Sequence, residues 1–259
     1  MDKKLSHFQN SIRNIAEDKT SGATEMLLNL LETLNEALKH GYTPSSFRTE
    51  LEVLLHKQHL FTNLTNIARM LLNAANNPSE TARIIASVQQ YYQNLYHRQA
   101  LRIKEHCPHQ PVSILTHSNS AAVKNVVSHL QKHLKIRQIY QTLSAPGEEG
   151  RIQAGFWASK GLKTFLITDA AVAKFIAQAD CIILGSDQYN NEVFVNKTGS
   201  LNISIIANYY SKTVFVLSDR YKYEKKIPPL TEFQLLPEGI YRPSHILEAV
   251  PLSLCHLLI

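Results

Sequence analysis

Asp180-Cys181-Ile182-Ile183-Leu184-Gly185-Ser186-Asp187 carries the clearest strand signal in the chain, and Asn196-Lys197-Thr198-Gly199-Ser200 completes it. Four consecutive apolar residues ending in a small turn read as a strand buried on both faces. That strand carries a carboxylate, Asp187, at its tip. A polar loop is expected over 188–195, after which Asn196-Lys197-Thr198-Gly199 opens a helix over 200–210. A carboxylate at a strand end can accept or donate a proton. Backbone N–H groups at a helix start suit a phosphate. Lys197 adds a point charge, and Asn196 can both donate and accept. Such a cluster suits a small, phosphorylated ligand.

The surrounding sequence repeats the strand-then-helix pattern. Strand-like runs fall at 112–116, 136–141, 164–167, 181–184 and 214–217, with helical stretches at 121–134, 148–160, 171–177 and 200–210. This alternation implies right-handed crossovers and a parallel sheet with covered faces. Ligands of such sheets bind beyond the carboxyl ends of the strands. Each predicted strand exits into hydroxyls or carboxylates: Thr116-His117-Ser118-Asn119-Ser120, Thr142-Leu143-Ser144, Thr168-Asp169, Gly185-Ser186-Asp187 and Ser218-Asp219. Ser120, Asp169 and Ser218 read equally well as helix caps. The apolar tail over 246–259 is expected to dock on the sheet.

The earlier residues have a different period. Ser21 reads as a cap, and Ala23, Met26, Leu27, Leu30, Leu31, Leu34 and Leu38 recur at helical spacing up to Gly41. Further helices are predicted at 46–55, 63–75 and 79–106, and Pro108 and Pro111 mark a boundary. The expected organisation is α/β: an N-terminal helical domain, 1–107, followed by a Rossmann-like parallel-sheet domain, 108–259.

With 44% hydrophobic and 19% charged residues among 259, the chain is globular in composition. Its net charge of +6 is not gathered into a basic run interleaved with aromatics, which argues against direct nucleic acid binding. Cys107, Cys181 and Cys255 are widely spaced, odd in number and without a Cys-x-x-Cys, so a reducing cytoplasm is expected. The first ten residues lack the apolar core of a signal peptide, and no run of 18 apolar residues exists, so no membrane partner is expected. The lack of Gly-x-Gly-x-x-Gly and P-loop motifs argues against nicotinamide cofactors and ATP hydrolysis; no cofactor is expected. His129 and His133 share a helix face, but no Glu follows His129 as the zinc-protease motif requires, and no metal is expected. His117-Ser118 lacks the Gly-x-Ser-x-Gly elbow of a serine hydrolase.

The motifs together resemble a known family. It comprises the alpha, beta and delta regulatory subunits of eukaryotic initiation factor 2B and aldose–ketose isomerases acting on methylthioribose 1-phosphate and ribose 1,5-bisphosphate. Ile114-Leu115-Thr116-His117-Ser118-Asn119-Ser120 resembles the family's Ile-Leu-Thr-His-x-x-Ser segment. Thr142-Leu143-Ser144-Ala145-Pro146 with Glu149-Gly150-Arg151 is similar to Thr-Glu-Ser-Arg-Pro…Gly-Arg. Asp169-Ala170-Ala171 resembles an Asp-Ser-Ala element, and Gly185-Ser186-Asp187 with Asn196-Lys197-Thr198-Gly199-Ser200 resembles Gly-Ala-Asp…Asn-Lys-x-Gly-Thr. Ser21-Gly22-Ala23 resembles the family's Arg-Gly-Ala turn. The resemblance implies an N-terminal helical domain, a Rossmann-like domain and dimerisation through the latter. It also implies a ligand site drawn from Ser21, Gly22, Ala23, His117, Ser118, Ser120, Arg151, Asp187, Asn196 and Lys197.

The departures bear on function. The isomerases pair a cysteine after Thr-His with the aspartate as acid and base; here that position is Ser118. A thiol titrates near 8.5, and a serine hydroxyl far higher. The family's phosphate-gripping arginines are replaced by Ala145 and Ser21, which removes bidentate contacts that a lysine does not reproduce. The expectation is a non-catalytic, initiation factor 2B subunit-like protein. It would bind a sugar phosphate or nucleotide monophosphate and act through protein partners in translation regulation, as a homodimer or with related subunits. Two alternatives stay open. One is an aldose–ketose isomerase acting on a phosphorylated pentose, with Asp187 as base and Ser118 or His117 as its partner. The other is a structural subunit with a vestigial pocket.

Overall fold

The computed structural model describes residues 2–18, 21–107, 109–228, 230, 233–243 and 246–259. The chain divides into two units, Met1–Tyr96 and His97–Ile259. The first is helical, with α1 (Lys3–Glu17), α2 (Ala23–Lys39), α3 (Arg48–Lys57), α4 (Thr62–Asn73) and most of α5 (Pro78–Glu105). The Asp2 side chain caps α1 by accepting from the N–H groups of Lys4 and Leu5. On α2 the predicted stripe of Met26, Leu27, Leu30, Leu31 and Leu34 is buried, as its 3.6-residue period requires. The cap of α2 differs from expectation. Gly22 occupies it without a side-chain hydrogen bond, and Ser21 instead donates its N–H to Asp18 Oδ1 at 3.0 Å. Ser21 lies one residue too early for its hydroxyl to reach the free N–H groups of the first turn.

The units divide within α5, at 96/97, whereas the proline signal predicts 107/108. Gln99 accounts for the earlier point: its amide donates to the carbonyls of Ser218 at 2.9 Å and Leu258 at 2.8 Å, both in the second unit. Those contacts join the end of α5 to the sheet.

The second unit continues with β1 (Val112–Thr116), α6 (Ala121–Leu130), β2 (Ile136–Thr142), α7 (Gly150–Ser159), β3 (Thr164–Ile167) and α8 (Val172–Ile176). Then come β4 (Cys181–Gly185), β5 (Gln188–Tyr189), β6 (Val193–Lys197), α9 (Ser200–Tyr209) and β7 (Thr213–Leu217). It closes with β8 (Phe233–Leu235), β9 (Tyr241–Pro243), β10 (Leu247–Pro251) and β11 (His256–Leu258). Six strands form a parallel sheet in the order β11-β7-β4-β1-β2-β3. Successive strands run outward from β1 to one edge and from β4 to the other, so the switch point lies between β1 and β4. The five predicted strands are all present, and Ile114, Leu115, Ile182, Ile183, Leu184, Phe215 and Val216 are fully buried along them.

The expected polar loop over 188–195 is a hairpin. β5 pairs antiparallel with β6, and β6 pairs antiparallel with β10. Phe194 and Val195 are buried, and Phe194 shares its core with Val250 of β10. The apolar Val193-Phe194-Val195 run thus pairs as a strand where the sequence predicts a polar loop. The apolar tail docks edge-on, through β10 onto β6 and through β11, parallel, onto β7. At the opposite edge, β3 leaves Phe165 37% and Leu166 40% exposed, with the Lys163 ammonium 5.1 Å from the Phe165 ring centre.

Gly150 starts α7 against the end of β2. A Cβ there would sit 1.9 Å from the Thr142 carbonyl oxygen. Gly150→Ala is expected to displace the start of α7 and cost ~3 kcal/mol, the top of the overpacking range. Chemical denaturation measures it, and an unchanged midpoint would contradict this packing.

Candidate functional site

The carboxyl ends of β1, β2 and β4 converge with the β6–α9 turn. His117, directly after β1, is 1% exposed. Its Nε2 faces the Thr198 carbonyl oxygen at 2.9 Å and can only donate there. Nδ1 of the neutral ring is then the acceptor for the Thr142 hydroxyl at 2.6 Å. Burial holds the imidazole pKa below its ordinary value, although the Thr198 hydrogen bond and Asp169, 3.8 Å away, favour the charged form. The ring packs on Gly199, whose φ of +111° and missing Cβ both matter: a Cβ there would lie 2.9 Å from His117 Cε1. His117 is therefore a tie between three segments and not a free base.

Ser118 has φ of +66°, a strained value for serine. Its N–H donates to Ser144 Oγ at 2.7 Å, and its own hydroxyl donates to Glu149 Oε1 at 3.1 Å. The same Glu149 oxygen lies 2.8 Å from the ammonium of Lys197, whose side chain is 3% exposed. That contact is close enough for an ion pair but lacks hydrogen-bond geometry, so the buried ammonium has no hydrogen bond. Across the switch point Gly185 touches the cap of α6: a Cβ on it would meet Ser120 Oγ at 2.6 Å. Ser120 caps α6 through Val123 N–H, as the sequence allowed, and Asn196 is buried with its amide donating to Ser200 Oγ at 2.9 Å.

Asp187 lies deep between protein groups yet keeps a window to solvent. Burial raises its carboxyl pKa to about 6, against the opposing pull of the Lys222 and Lys197 ammonium groups. Lys222 is itself buried, donating to the Ser186 carbonyl at 2.6 Å with Asp219 3.7 Å away. A carboxylic acid titrating near neutrality between two cations can take up or release a proton at working pH.

The structure thus gathers His117, Ser118, Ser120, Asp187, Asn196 and Lys197. Arg151 is not drawn into this cluster; it is exposed on α7 and pairs with Glu148 Oε2 at 2.8 Å. Ser21, Gly22 and Ala23 lie at the start of α2 in the first unit. Sequence reading missed Glu149, Asp169 and Lys222 as members. Asp169 accepts from the backbone N–H groups of Ser144 at 3.0 Å and Ala145 at 2.9 Å, fixing the turn after β2. Among the described residues no three His, Cys, Asp or Glu side chains are arranged to hold a metal ion.

A parallel sheet with a strand-tip aspartate and an Asn-Lys-x-Gly turn defines a recognisable class of α/β protein. The chain matches the Initiation factor 2 subunit family over residues 13–234 and belongs to it. A ribose 1,5-bisphosphate isomerase of Methanocaldococcus jannaschii is 26% identical over 182 residues, 67% of this chain and 58% of that relative. The eIF2B subunit alpha of Dictyostelium discoideum is 28% identical over 118 residues, 45% of this chain and 37% of the relative. The chain therefore spans less than two thirds of the length of these curated relatives. The fold is shared with the translation initiation factor eIF-2B of Pyrococcus horikoshii OT3, with TM-score 0.77, 16% identity, and coverage of 100% of this chain and 95% of that one. It is also shared with 5-methylthioribose 1-phosphate isomerase of the same organism, with TM-score 0.68, 18% identity, and coverage of 97% and 82%.

Because the Asp187 pKa is raised from 3.8 to about 6, the native state holds this proton more tightly than the unfolded chain. The ionised group therefore destabilises the fold, increasingly as pH rises from 3.8 to about 6 and fully above that window. Asp187→Asn is expected to be more stable than the parent at pH 7.5 by on the order of 2 kcal/mol. That advantage should fade towards pH 4. Thermal unfolding across pH checks it, and a pH-independent difference would contradict the assignment.

Proposed function

We propose that this chain binds a small phosphorylated sugar or nucleoside monophosphate in the crevice at the β1–β4 switch point. It acts through protein partners, as a homodimer or with related subunits, in the manner of a regulatory initiation factor subunit. Asp187 and Asn196 face the sugar hydroxyls, and Lys197 takes the phosphate, with Ser118 and Ser120 at the rim. The observation that carries the reading is the environment of Ser118. Its hydroxyl holds its proton far above neutral pH. The base it touches, Glu149, is itself neutralised by Lys197 at 2.8 Å. Proton transfer to a sugar carbon at that position has no group to carry it, whereas hydrogen bonding and charge for ligand capture remain.

A second reading, aldose–ketose isomerisation of a phosphorylated pentose, is favoured by Asp187, whose pKa of about 6 suits an acid–base residue. Relatives bearing the name ribose 1,5-bisphosphate isomerase support it as well.

Thermal unfolding against AMP, ribose phosphates and methylthioribose 1-phosphate tests both readings. A ligand at a hundred times its dissociation constant adds about 2.7 kcal/mol. No shift with any of these would sink ligand binding, and turnover abolished by Asp187→Asn would establish the second reading. Lys197→Ala is expected to weaken a phosphorylated ligand about tenfold more than its unphosphorylated analogue, the factor for one such charged contact. Titration calorimetry measures the difference, and equal weakening would leave Lys197 a packing residue.

A further inference from the structure

The contacts of Glu149 extend this reading and rest on it. Lys197 is an ammonium almost wholly out of water, and a buried cation requires a counter-charge. Glu149 supplies it from the start of α7, and one oxygen, Oε1, receives both the ammonium at 2.8 Å and the Ser118 hydroxyl at 3.1 Å. These two donors are the ones a ligand phosphate would use. Oε2 lies only 2.6 Å from where a Cβ on Gly147 would stand, so the loop before α7 folds around the carboxylate. Yet the fit is imperfect: the ammonium makes no hydrogen bond. The turn that leads to the carboxylate is exposed and holds two positive φ angles. Ala145, Pro146, Gly147 and Glu148 are exposed, and Ser144 and Glu148 hold φ of +67° and +56°.

We propose that Glu149 occupies the acceptor position of the ligand's acidic group, so that a ligand enters only by displacing it. This makes Glu149 the residue that sets which anions are admitted. A carboxylate or other monoanion exchanges one charge for the same charge and gains nothing. A phosphate monoester dianion brings a second charge and more acceptor oxygens to Lys197 and Ser118. The site thereby selects doubly charged phosphate esters over the monoanions that Lys197 alone would attract.

The test compares inorganic phosphate, ribose 5-phosphate and acetate by titration calorimetry on the parent chain and Glu149→Gln at one salt concentration. Circular dichroism confirms folding, and Glu149→Ala replaces the Gln variant if that one does not fold. Removing the carboxylate is expected to tighten phosphate and ribose 5-phosphate about tenfold. It should also make acetate binding measurable, and Lys197→Met added to either variant should abolish both gains. Equal or weaker phosphate binding in both variants, with binding intact in the parent, overturns the inference and leaves the proposed function standing. If neither parent nor variants bind any phosphate, the proposed function falls and this inference with it.

Discussion

The buried imidazole of His117 is the tie on which the crevice depends. Its two nitrogens join the end of β1 to Thr142 at the end of β2 and to the Thr198 carbonyl in the β6–α9 turn. Each bond lies out of water, where an unmatched polar atom is costly, so the three segments are held by what losing the ring would cost. The Thr198 carbonyl fixes the tautomer, and the tautomer fixes which hydroxyl may approach the other nitrogen. Gly199 belongs to the same tie, because only a residue without Cβ allows the turn to close on the ring. Residues from distant stretches of sequence thus share one crevice.

Around this tie the charges are arranged in alternation. Lys197 answers Glu149, Lys222 lies near Asp219, and Asp187 feels both ammonium groups. Asp187 remains protonated well above its ordinary range, and Lys197 has an ion pair without a hydrogen bond. Such imperfect satisfaction of buried charge is what a hydrophobic core eliminates.

The fold was legible because its signals are local. Buried parallel strands appear as short apolar runs such as Ile182-Ile183-Leu184, and α2 shows a clean 3.6-residue stripe. The hairpin over 188–197 was hidden because its partner strand, β10, lies about fifty residues on, and antiparallel pairing at that distance leaves no periodic trace. Asp187, Asn196 and Lys197 stood out through their place after a strand and before a helix. Glu149 and Lys222 did not, since each reads as an ordinary surface charge until the chain folds over it. Arg151 shows the converse: its motif position marked it, but its guanidinium faces solvent beside Glu148.

The two edges of the six-stranded sheet are not alike. β11, with Leu258 buried, ends one, while β3 ends the other with Phe165 and Leu166 partly bare. An open strand edge with apolar side chains invites pairing with another copy of itself. The Lys163 ammonium over the Phe165 ring sets positive charge beside that strand. A charge so placed opposes self-pairing: like charge on two approaching edges repels before backbone groups can meet. Neutralising that ammonium would therefore favour edge-to-edge self-association.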